Sequence, residues 1–452
     1  MKDLTVGREG KLIFFFALPM LLGNFLQQLY TLVDGSIVGK FIGKEALAAV
    51  GASFPIIFTM IALLIGISSG GMVVISQYFG AKDMVKVKRS IETIYIFMFF
   101  SSIILTAIGF IIIDPLFRIM KLPAEIIPQA KIYLSIYISG LILFFGYNGT
   151  SSILRGMGDS KTPLYFLVFS TLLNVVLDLL FIVVFKWGIA GAAFATLISQ
   201  ACALAGIMIY LHKNHPVISF NFRQWTFDRD IFHKSLRIGL PTGLQHTFVS
   251  LGMMTLFGIV NTFGTDVVAA FTAAGRIDSL ALDSAMVFSQ ALATFVGQNM
   301  GAGKPDRVRR GLIITLLMSW AVAGVMSIII ILFRTDIMHW FVNRNESDVI
   351  RIGGEYLTII TSFYLIFTTM FIFNGVMRGA GDTLIPMFIT LFALWLIRIP
   401  VAFILSKEIG ETGIWWAIPI GWTVGAAMSF IYYKTGRWKK KVIVTLTDPH
   451  DA

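Results

Sequence analysis

The sequence predicts an all-α integral membrane protein of twelve transmembrane helices, arranged as two six-helix repeats. Three observations lead to this fold class. The 452 residues are 56% hydrophobic and 13% charged, whereas soluble domains are about 25% charged. Apolar runs near the ~20 residues that span a bilayer as a helix recur along the whole chain. Motifs of the first half return in the second half in the same order.

Twelve apolar segments are long enough to span a membrane. The first of them is too long for the core of a signal peptide, so we count it as a span. The second and the eighth are long enough to tilt or to extend beyond the bilayer. The predicted spans are 12–38, 46–78, 90–114, 129–154, 163–185, 189–211, 233–260, 266–299, 311–333, 351–377, 386–406 and 412–433.

Basic residues are distributed unevenly among the loops. When alternate loops are assigned to opposite sides, most lysines and arginines fall on the side that holds both termini and the long middle loop. Because cytoplasmic loops are enriched in Lys and Arg, we expect a multi-pass protein of the cell (inner or plasma) membrane with both termini in the cytoplasm. The net charge of +11 follows these loops, so we expect a lipid bilayer around the protein and no nucleic acid partner.

Four short motifs recur at nearly the same offset. Six predicted spans separate each motif from its copy, and this even number gives both halves the same orientation. The sequence therefore predicts a parallel repeat, whose binding sites lie near the membrane midplane. The matching pairs are Leu18-Pro19 with Leu240-Pro241, Gln77–Ala81 with Gln298–Ala302, Arg155–Ser160 with Arg378–Thr383, and Gly188 with Gly410.

The repeat also predicts the division of the chain. We assign residues 1–211 to an N-lobe and residues 233–434 to a C-lobe, with six spans each. Residues 212–232 between them form a polar cytoplasmic linker, and residues 435–452 form a basic cytoplasmic tail. The R-G-x-G-D loops within the lobes are interpreted as structural, with each Asp capping the next helix.

The first span carries a polar stripe. Asn24, Gln27, Thr31 and Asp34 follow one another at steps of three or four, which places them on one helical face. A carboxylate in the middle of a span normally faces a bundle interior or a water-filled cavity, because exposure to lipid costs several kcal/mol. We therefore interpret Asp34 as functional, and a purely structural hydrogen-bonding role is the alternative.

The repeated loops and the first span, with its Pro and then its Asp, resemble the MATE (multidrug and toxic compound extrusion) family over nearly the whole chain. The resemblance implies two six-helix lobes around a large central cleft, and ion-coupled export of organic, often cationic, compounds. It also implies a cation or proton site in the N-lobe, as in one branch of the family. The residues that match this site are Asp34, Asn174, Asp178 and Thr196.

The residue types of this set agree with such a site. Asn174 and Asp178 are four residues apart and share one face of the fifth span. Two buried carboxylates cannot both stay charged in a low dielectric, so one is protonated or a cation lies between them. Oxygen ligands suit a hard cation such as Na⁺. Either Na⁺ or H⁺ is therefore expected as the coupling ion, with no other cofactor, and Gln27 and Tyr137 are weaker candidates for neighbours of the pair.

The second half departs from the first. Leu256 stands where the repeat would place the equivalent of Asp34, so the seventh span lacks the acid. Another branch of the family uses acids of the seventh and tenth spans, and their absence here argues against a C-lobe cation site of that kind.

Polar residues of the C-lobe are candidates for the lining of the substrate cleft. Arg276, Asp283 and Gln290 share one face of the eighth span, and His246 lies in the seventh. An internal ion pair of Arg276 with Asp283 or with the neighbouring Asp278 is the alternative. Arg398 in the eleventh span also requires a partner or a polar cavity.

We therefore predict a secondary active exporter, a monomeric antiporter that moves amphipathic organic cations out of the cell in exchange for Na⁺ or H⁺ by rocking of its two lobes. The main alternative is a flippase for lipid-linked precursors of the same superfamily, although its strongly basic cleft is missing. An enzyme is not expected, because the sequence contains no metal-binding, phosphate-loop or nucleophile motif. A non-transporting scaffold would leave the polar stripes unexplained.

Overall fold

A computed structural model of the protein describes residues 1–120, 122–215, 225–342 and 345–444, without the side chains of residues 62, 63 and 119. Part of the predicted linker, 216–224, and part of the predicted tail, 445–452, lie outside the described residues. All regular elements within the described ranges are helices. They are α1 Glu9–Phe41, α2 Lys44–Gly80, α3 Met84–Ile119, α4 Ile127–Ser139, α5 Leu141–Gly156, α6 Lys161–Asp178, α7 Gly188–Asn214, α8 Arg229–Asn261, α9 Thr265–Gly301, α10 Pro305–His339, α11 Ser347–Ser362, α12 Tyr364–Gly379, α13 Leu384–Leu391, α14 Ile399–Ile409 and α15 Glu411–Thr435, with π-helical segments Leu179–Val184 and Phe392–Arg398 and a 3₁₀ helix Arg437–Lys441.

These helices confirm the predicted fold class. Ten of them, some continued by a π-helical segment, are long and apolar enough to cross a membrane. Two further pairs, α4 with α5 and α11 with α12, bring the number of spans in the described chain to twelve when each pair counts as one. The twelve predicted segments coincide with these spans to within a few residues at most ends.

The fourth and the tenth spans are bent, which the sequence analysis did not predict. The bends are 50° between α4 and α5 and 48° between α11 and α12. In the first, the chain leaves the helix at Gly140, where an added Cβ would lie 1.9 Å from the Leu197 side chain. In the second, Phe363 has φ −109° and ψ 10°. Hydropathy cannot show such bends, because both arms are apolar.

The backbone repeats as the motifs do. Eight of the eleven described residues in the left-handed region of φ form four pairs that lie one repeat apart, at the ends of equivalent helices. This correspondence of backbone conformation agrees with the parallel repeat seen in the motifs. The pairs are Gly43 (121°) with Gly264 (95°), Lys82 (60°) with Gly303 (68°), Gly158 (79°) with Gly381 (95°), and Gly188 (58°) with Gly410 (67°).

The chain forms two compact units. Unit 1 comprises residues 1–2 and 18–240, and unit 2 comprises residues 3–17 and 241–452. One division falls just before Leu18-Pro19 and another between Leu240 and Pro241, so α1 and α8 are each divided between the units. The predicted lobes follow the sequence repeat, whereas these units follow contacts, and the lobe boundaries stay a prediction.

The opening segment, residues 3–17, is held within unit 2 by hydrogen bonds of its backbone and by an ion pair. Gln298 Oε1 accepts from the N–H of Leu4 over 2.8 Å, and the Asn299 amide donates to the Leu4 carbonyl oxygen over 3.2 Å. Glu9 forms an ion pair with Arg307 over 3.2 Å. The Q-x-x-G-A motif of the second half therefore anchors this segment.

The two R-G-x-G-D loops differ in detail. Asp159 Oδ1 accepts from the backbone N–H groups of Lys161 and Thr162, both over 3.1 Å, and so caps the first turn of α6 as predicted. Asp382 instead accepts from the Tyr432 hydroxyl of α15. The prediction that Asp382 caps the next helix, α13, is wrong, because its carboxylate forms its hydrogen bond with α15 instead.

Candidate ion site in unit 1

Three helices of unit 1 bring together the four residues that the sequence singled out. Asp34 lies in α1, Asn174 and Asp178 lie one turn apart at the end of α6, and Thr196 lies in α7. The Asp178 side chain is fully buried, those of Asn174 and Thr196 are buried, and Asp34 is half-buried. The predicted set is therefore a cluster in space.

The backbone changes its hydrogen-bonding pattern at this cluster. Asp178 is the last residue of α6, and the π-helical segment Leu179–Val184 follows it directly. A π-helical turn widens the helix and is often found at functional sites. The apolar sequence Leu-Leu-Phe-Ile-Val-Val gives no sign of this change.

Asn174 positions Asp178 and Thr196. The orientation of the Asn174 amide that satisfies both of its ends donates to Asp178 Oδ2 over 2.8 Å and accepts from the Thr196 backbone N–H over 3.1 Å. The Thr196 hydroxyl donates to the Ala192 carbonyl oxygen over 3.1 Å. The amide therefore joins α6 to α7 and offers Asp178 one donor.

The two carboxyl groups face each other. Asp34 and Asp178 lie within hydrogen-bonding reach of each other. One oxygen of each, Oδ1, is buried and has no hydrogen-bond partner among the described residues. Two carboxylates this close repel each other strongly unless a proton or a cation lies between them. The geometry can thus hold one positive charge.

Two tyrosines complete the surroundings of the pair. The Tyr30 hydroxyl lies 3.5 Å from Thr196 Oγ1, and the buried Tyr133 lies within electrostatic range of both Asp34 and Asp178. Tyr30 was not predicted as part of the site, although it stands four residues before Asp34 on the same helix. That spacing was the available signal.

The two weaker candidates are placed differently. Tyr137 is buried and stacks on Phe144 with ring centroids 4.5 Å apart. It reaches the carboxyl pair through Tyr133, whose ring lies 6.3 Å from its own. The Gln27 side chain is exposed, so unit 1 by itself does not bring it to the pair. A role for either residue stays a prediction.

Comparison with known proteins decides the family. The family model MatE matches residues 19–180 and 241–404, which is most of the chain and one match in each half. The chain belongs to the MATE family. The resemblance seen in the sequence motifs is confirmed.

Relatives of this MATE chain cover nearly its whole length. It is 33% identical over 446 residues to "Probable multidrug resistance protein YpnP" of Bacillus subtilis (strain 168), covering 98% of this chain and 99% of that one. It is 30% identical over 449 residues to "Probable multidrug resistance protein NorM" of Thermotoga maritima, covering 95% and 93%. A solved structure described as "Outward-facing conformation of a multidrug resistance MATE family transporter of the MOP superfamily" matches with TM-score 0.90 and 26% identity, covering 97% and 99%.

The candidate cleft residues of the MATE chain all lie in unit 2. Arg276 is exposed, whereas Asp283, Gln290 and His246 are half-buried. Exposure of Arg276 agrees with a side chain that is not used in a buried ion pair. Their predicted role in lining a substrate cleft stays a prediction.

Asp278 has partners that the sequence analysis did not find. It accepts the hydroxyl of Tyr356 over 3.1 Å and that of Tyr364 over 2.7 Å, so the alternative ion pair with Arg276 is not formed. These three residues come from α9, α11 and α12, and the two tyrosines stand on either side of the bend at Phe363. Because the bend was not predicted, neither was the grouping.

Proposed function

We propose that this MATE chain is a secondary active exporter, an antiporter, that moves amphipathic organic cations out of the cell in exchange for H⁺ or Na⁺. The observation that carries the proposal is the pair of carboxyl groups, Asp34 and Asp178, facing each other inside unit 1. The multidrug resistance names of the relatives support the substrate class.

The carboxyl pair couples ion binding to the state of the protein through charge. Two unit charges ~4 Å apart repel each other by about 4 kcal/mol at an effective dielectric of ~20. One bound proton or cation removes this repulsion. The ion-loaded and ion-free pairs therefore have different charge and favour different surroundings. An ion shifts a conformational equilibrium only when it binds one conformation more tightly than the other, and this difference in charge can provide that preference.

The geometry favours H⁺ over Na⁺. The Asn174 amide already has protein partners at both ends, and the Thr196 hydroxyl donates to a backbone carbonyl. The two Oδ1 atoms are the oxygens left without partners in this cluster. One proton shared by two carboxyl groups needs no further ligand, whereas Na⁺ takes several oxygens. Na⁺ coupling would require Asn174 to turn its oxygen toward the pair.

The cycle uses the ion gradient across the cell membrane, with both termini in the cytoplasm and the chain acting as a monomer. On the outside, the pair of Asp34 and Asp178 takes up its ion and substrate is released. On the inside, the ion leaves and a new substrate binds, while the two lobes rock between these states. A membrane potential of 100 mV adds about 2.3 kcal/mol per charge moved.

Efflux from proteoliposomes tests this proposal. A fluorescent cationic dye is loaded, and a pH gradient and a Na⁺ gradient are imposed separately. We expect the pH gradient to drive efflux in the wild type, and Asp34→Asn and Asp178→Asn each to abolish it. Asp114→Asn is the matched control, because Asp114 is exposed and bonded to Lys131 over 2.9 Å. Full gradient-driven efflux by Asp34→Asn would refute the proposal.

The same assay addresses the flippase alternative. If the wild type moves no dye under either gradient, the next substrates to test are lipid-linked precursors. Transport of these that is insensitive to Asp34→Asn would assign the chain to the alternative and remove the antiport mechanism.

A further inference from the structure

Unit 2 contains a cavity of about 260 Å³ that the proposed ion exchange does not use. Its wall is mostly apolar and rich in methionine and aromatic side chains, including Met253, Met286 and Phe367. Two oppositely charged residues, Asp278 and Arg398, also line it. A flexible apolar wall with a few fixed polar groups is the usual composition of a small-molecule site.

Arg398 is the less satisfied of the two charges. Its side chain is 8% exposed, and its Nε has no hydrogen-bond partner among the described residues. Gly421 makes room for the side chain, because an added Cβ there would lie 3.0 Å from the Arg398 Cβ. A buried guanidinium N–H without an acceptor is costly, and the fork of donors on Arg398 matches a carboxylate.

Asp278 is held rigidly by the two tyrosine hydroxyls described above, and its negative charge is not paired. Arg398 lies within its electrostatic range, yet no hydrogen bond or ion pair joins the two side chains in the described part of unit 2. The carboxylate accepts hydroxyl donors, which are neutral, so it retains its attraction for a cation. Two opposite charges therefore face one cavity without contact between them.

We propose that this cavity binds a small zwitterion of about the size of an amino acid. Its carboxylate lies on Arg398, its cationic nitrogen lies at Asp278, and its apolar body lies against Met253, Met286 and Phe367. A zwitterion leaves the net charge of the cavity unchanged, whereas a simple anion or cation would add an unbalanced charge within a membrane span. The volume lies just below the ~300–1,000 Å³ of pockets for drug-sized ligands, which limits the ligand to a small molecule.

This inference does not rest on the proposed antiport, because binding can be measured without a gradient. The probe is L-phenylalanine, added to the purified full-length protein in detergent and followed by equilibrium dialysis or calorimetry. Phenethylamine, which lacks the carboxylate, and 3-phenylpropanoate, which lacks the amine, are the matched analogues. We expect saturable binding of phenylalanine and at least tenfold weaker binding of each analogue.

Variants locate the binding. Arg398→Met and Asp278→Asn should each weaken phenylalanine binding at least tenfold, and Arg398→Lys should recover part of it because it restores the charge without the fork. The exposed-site control Arg351→Met should bind as the wild type does. Thermal unfolding midpoints of all variants show which of them are folded.

Three results would overturn the proposal. They are absence of phenylalanine binding to the wild type at millimolar concentration, equal binding of either single-charge analogue, and wild-type binding by folded Arg398→Met. None of these results bears on dye efflux driven by ion binding at the Asp34–Asp178 pair, so the two proposals can fail separately.

Discussion

The side-chain amide of Asn174 donates to Asp178 Oδ2 over 2.8 Å, one turn apart at the end of α6. The donor stabilises the negatively charged carboxylate, and hydrogen bonds to charged groups contribute about 1.5–3 kcal/mol. The bond therefore favours the ion-free state of the pair. Its removal should make the pair hold its ion more tightly.

Asn174→Leu tests this relationship. We expect the ion concentration for half-maximal efflux to fall by about tenfold or more, since ~1.4 kcal/mol corresponds to a factor of ten. Asn148→Leu is the control, because the Asn148 amide donates to the Phe144 carbonyl in α5, away from the pair. An increase in the half-maximal concentration for Asn174→Leu would mean that Asn174 ligates the ion itself.

Tyr30→Phe should have a smaller effect. The Tyr30 hydroxyl lies 3.5 Å from Thr196 Oγ1, a long and weak contact between neutral groups. We expect the half-maximal ion concentration to change by less than about tenfold with the maximal rate preserved. Tyr95→Phe is the control for loss of a buried hydroxyl, since Tyr95 bonds Thr150 over 2.8 Å outside the site. Abolished efflux in Tyr30→Phe, with normal efflux in the control, would place this hydroxyl in the ion path.

Gly70→Ala should destabilise unit 1. An added Cβ would lie 2.1 Å from the Ser235 carbonyl oxygen and 2.9 Å from the Gly239 Cα, so α2 and α8 would have to separate. We expect a loss of about 1–3 kcal/mol, measured as a lower midpoint of thermal unfolding.

Gly51→Ala on the same helix is the control for Gly70→Ala. An added Cβ at Gly51 would meet no atom within 4 Å outside the nearby backbone of its own helix. Because Ala has the better helix propensity, the free energy of unfolding should stay the same or rise by up to about 1 kcal/mol, and the midpoint should not fall. Equal midpoints for the two variants would contradict the close packing of α2 on α8.

Gln298→Leu should loosen the opening segment of unit 2. The substitution leaves the buried N–H of Leu4 without its acceptor, at a cost of about 1–3 kcal/mol. We expect a lower unfolding midpoint and faster proteolysis near the N-terminus. Gln129→Leu is the counterpart, because Gln129 Oε1 is already without a partner among the described residues. It should be neutral or stabilising, and a similar loss in both variants would argue against the anchoring role.

The fold was largely predictable from the sequence, because a lipid bilayer limits the structures that can cross it. A lipid-spanning helix must be a long apolar run, so span number and limits could be derived from hydropathy, and the duplicated motifs gave the repeat. The bends at Gly140 and Phe363 and the π-helical segment after Asp178 depend on neighbouring helices and on backbone hydrogen bonding. An apolar sequence carries no pattern that distinguishes them from straight helix.

The candidate site was predictable only in part. Helical spacing placed Asn174 and Asp178 on one face, but joining them to Asp34 and Thr196 required the family resemblance, since no spacing relates residues on different helices. Tyr30 could have been found from its spacing to Asp34. The grouping of Asp278 with Arg398 could not, because it depends on how several helices of unit 2 pack.

The most direct test of the central claim is to reverse the coupling. Coupling between two sites is reciprocal in free energy, so an outward gradient of substrate dye alone should drive H⁺ or Na⁺ the opposite way. We would measure ion uptake into proteoliposomes by wild type and Asp178→Asn with no ion gradient imposed. The account predicts dye-dependent ion movement in the wild type and none in the variant. Equal ion movement in both, or dye transport by the wild type without ion movement, would show that the Asp34–Asp178 pair is not the coupling site.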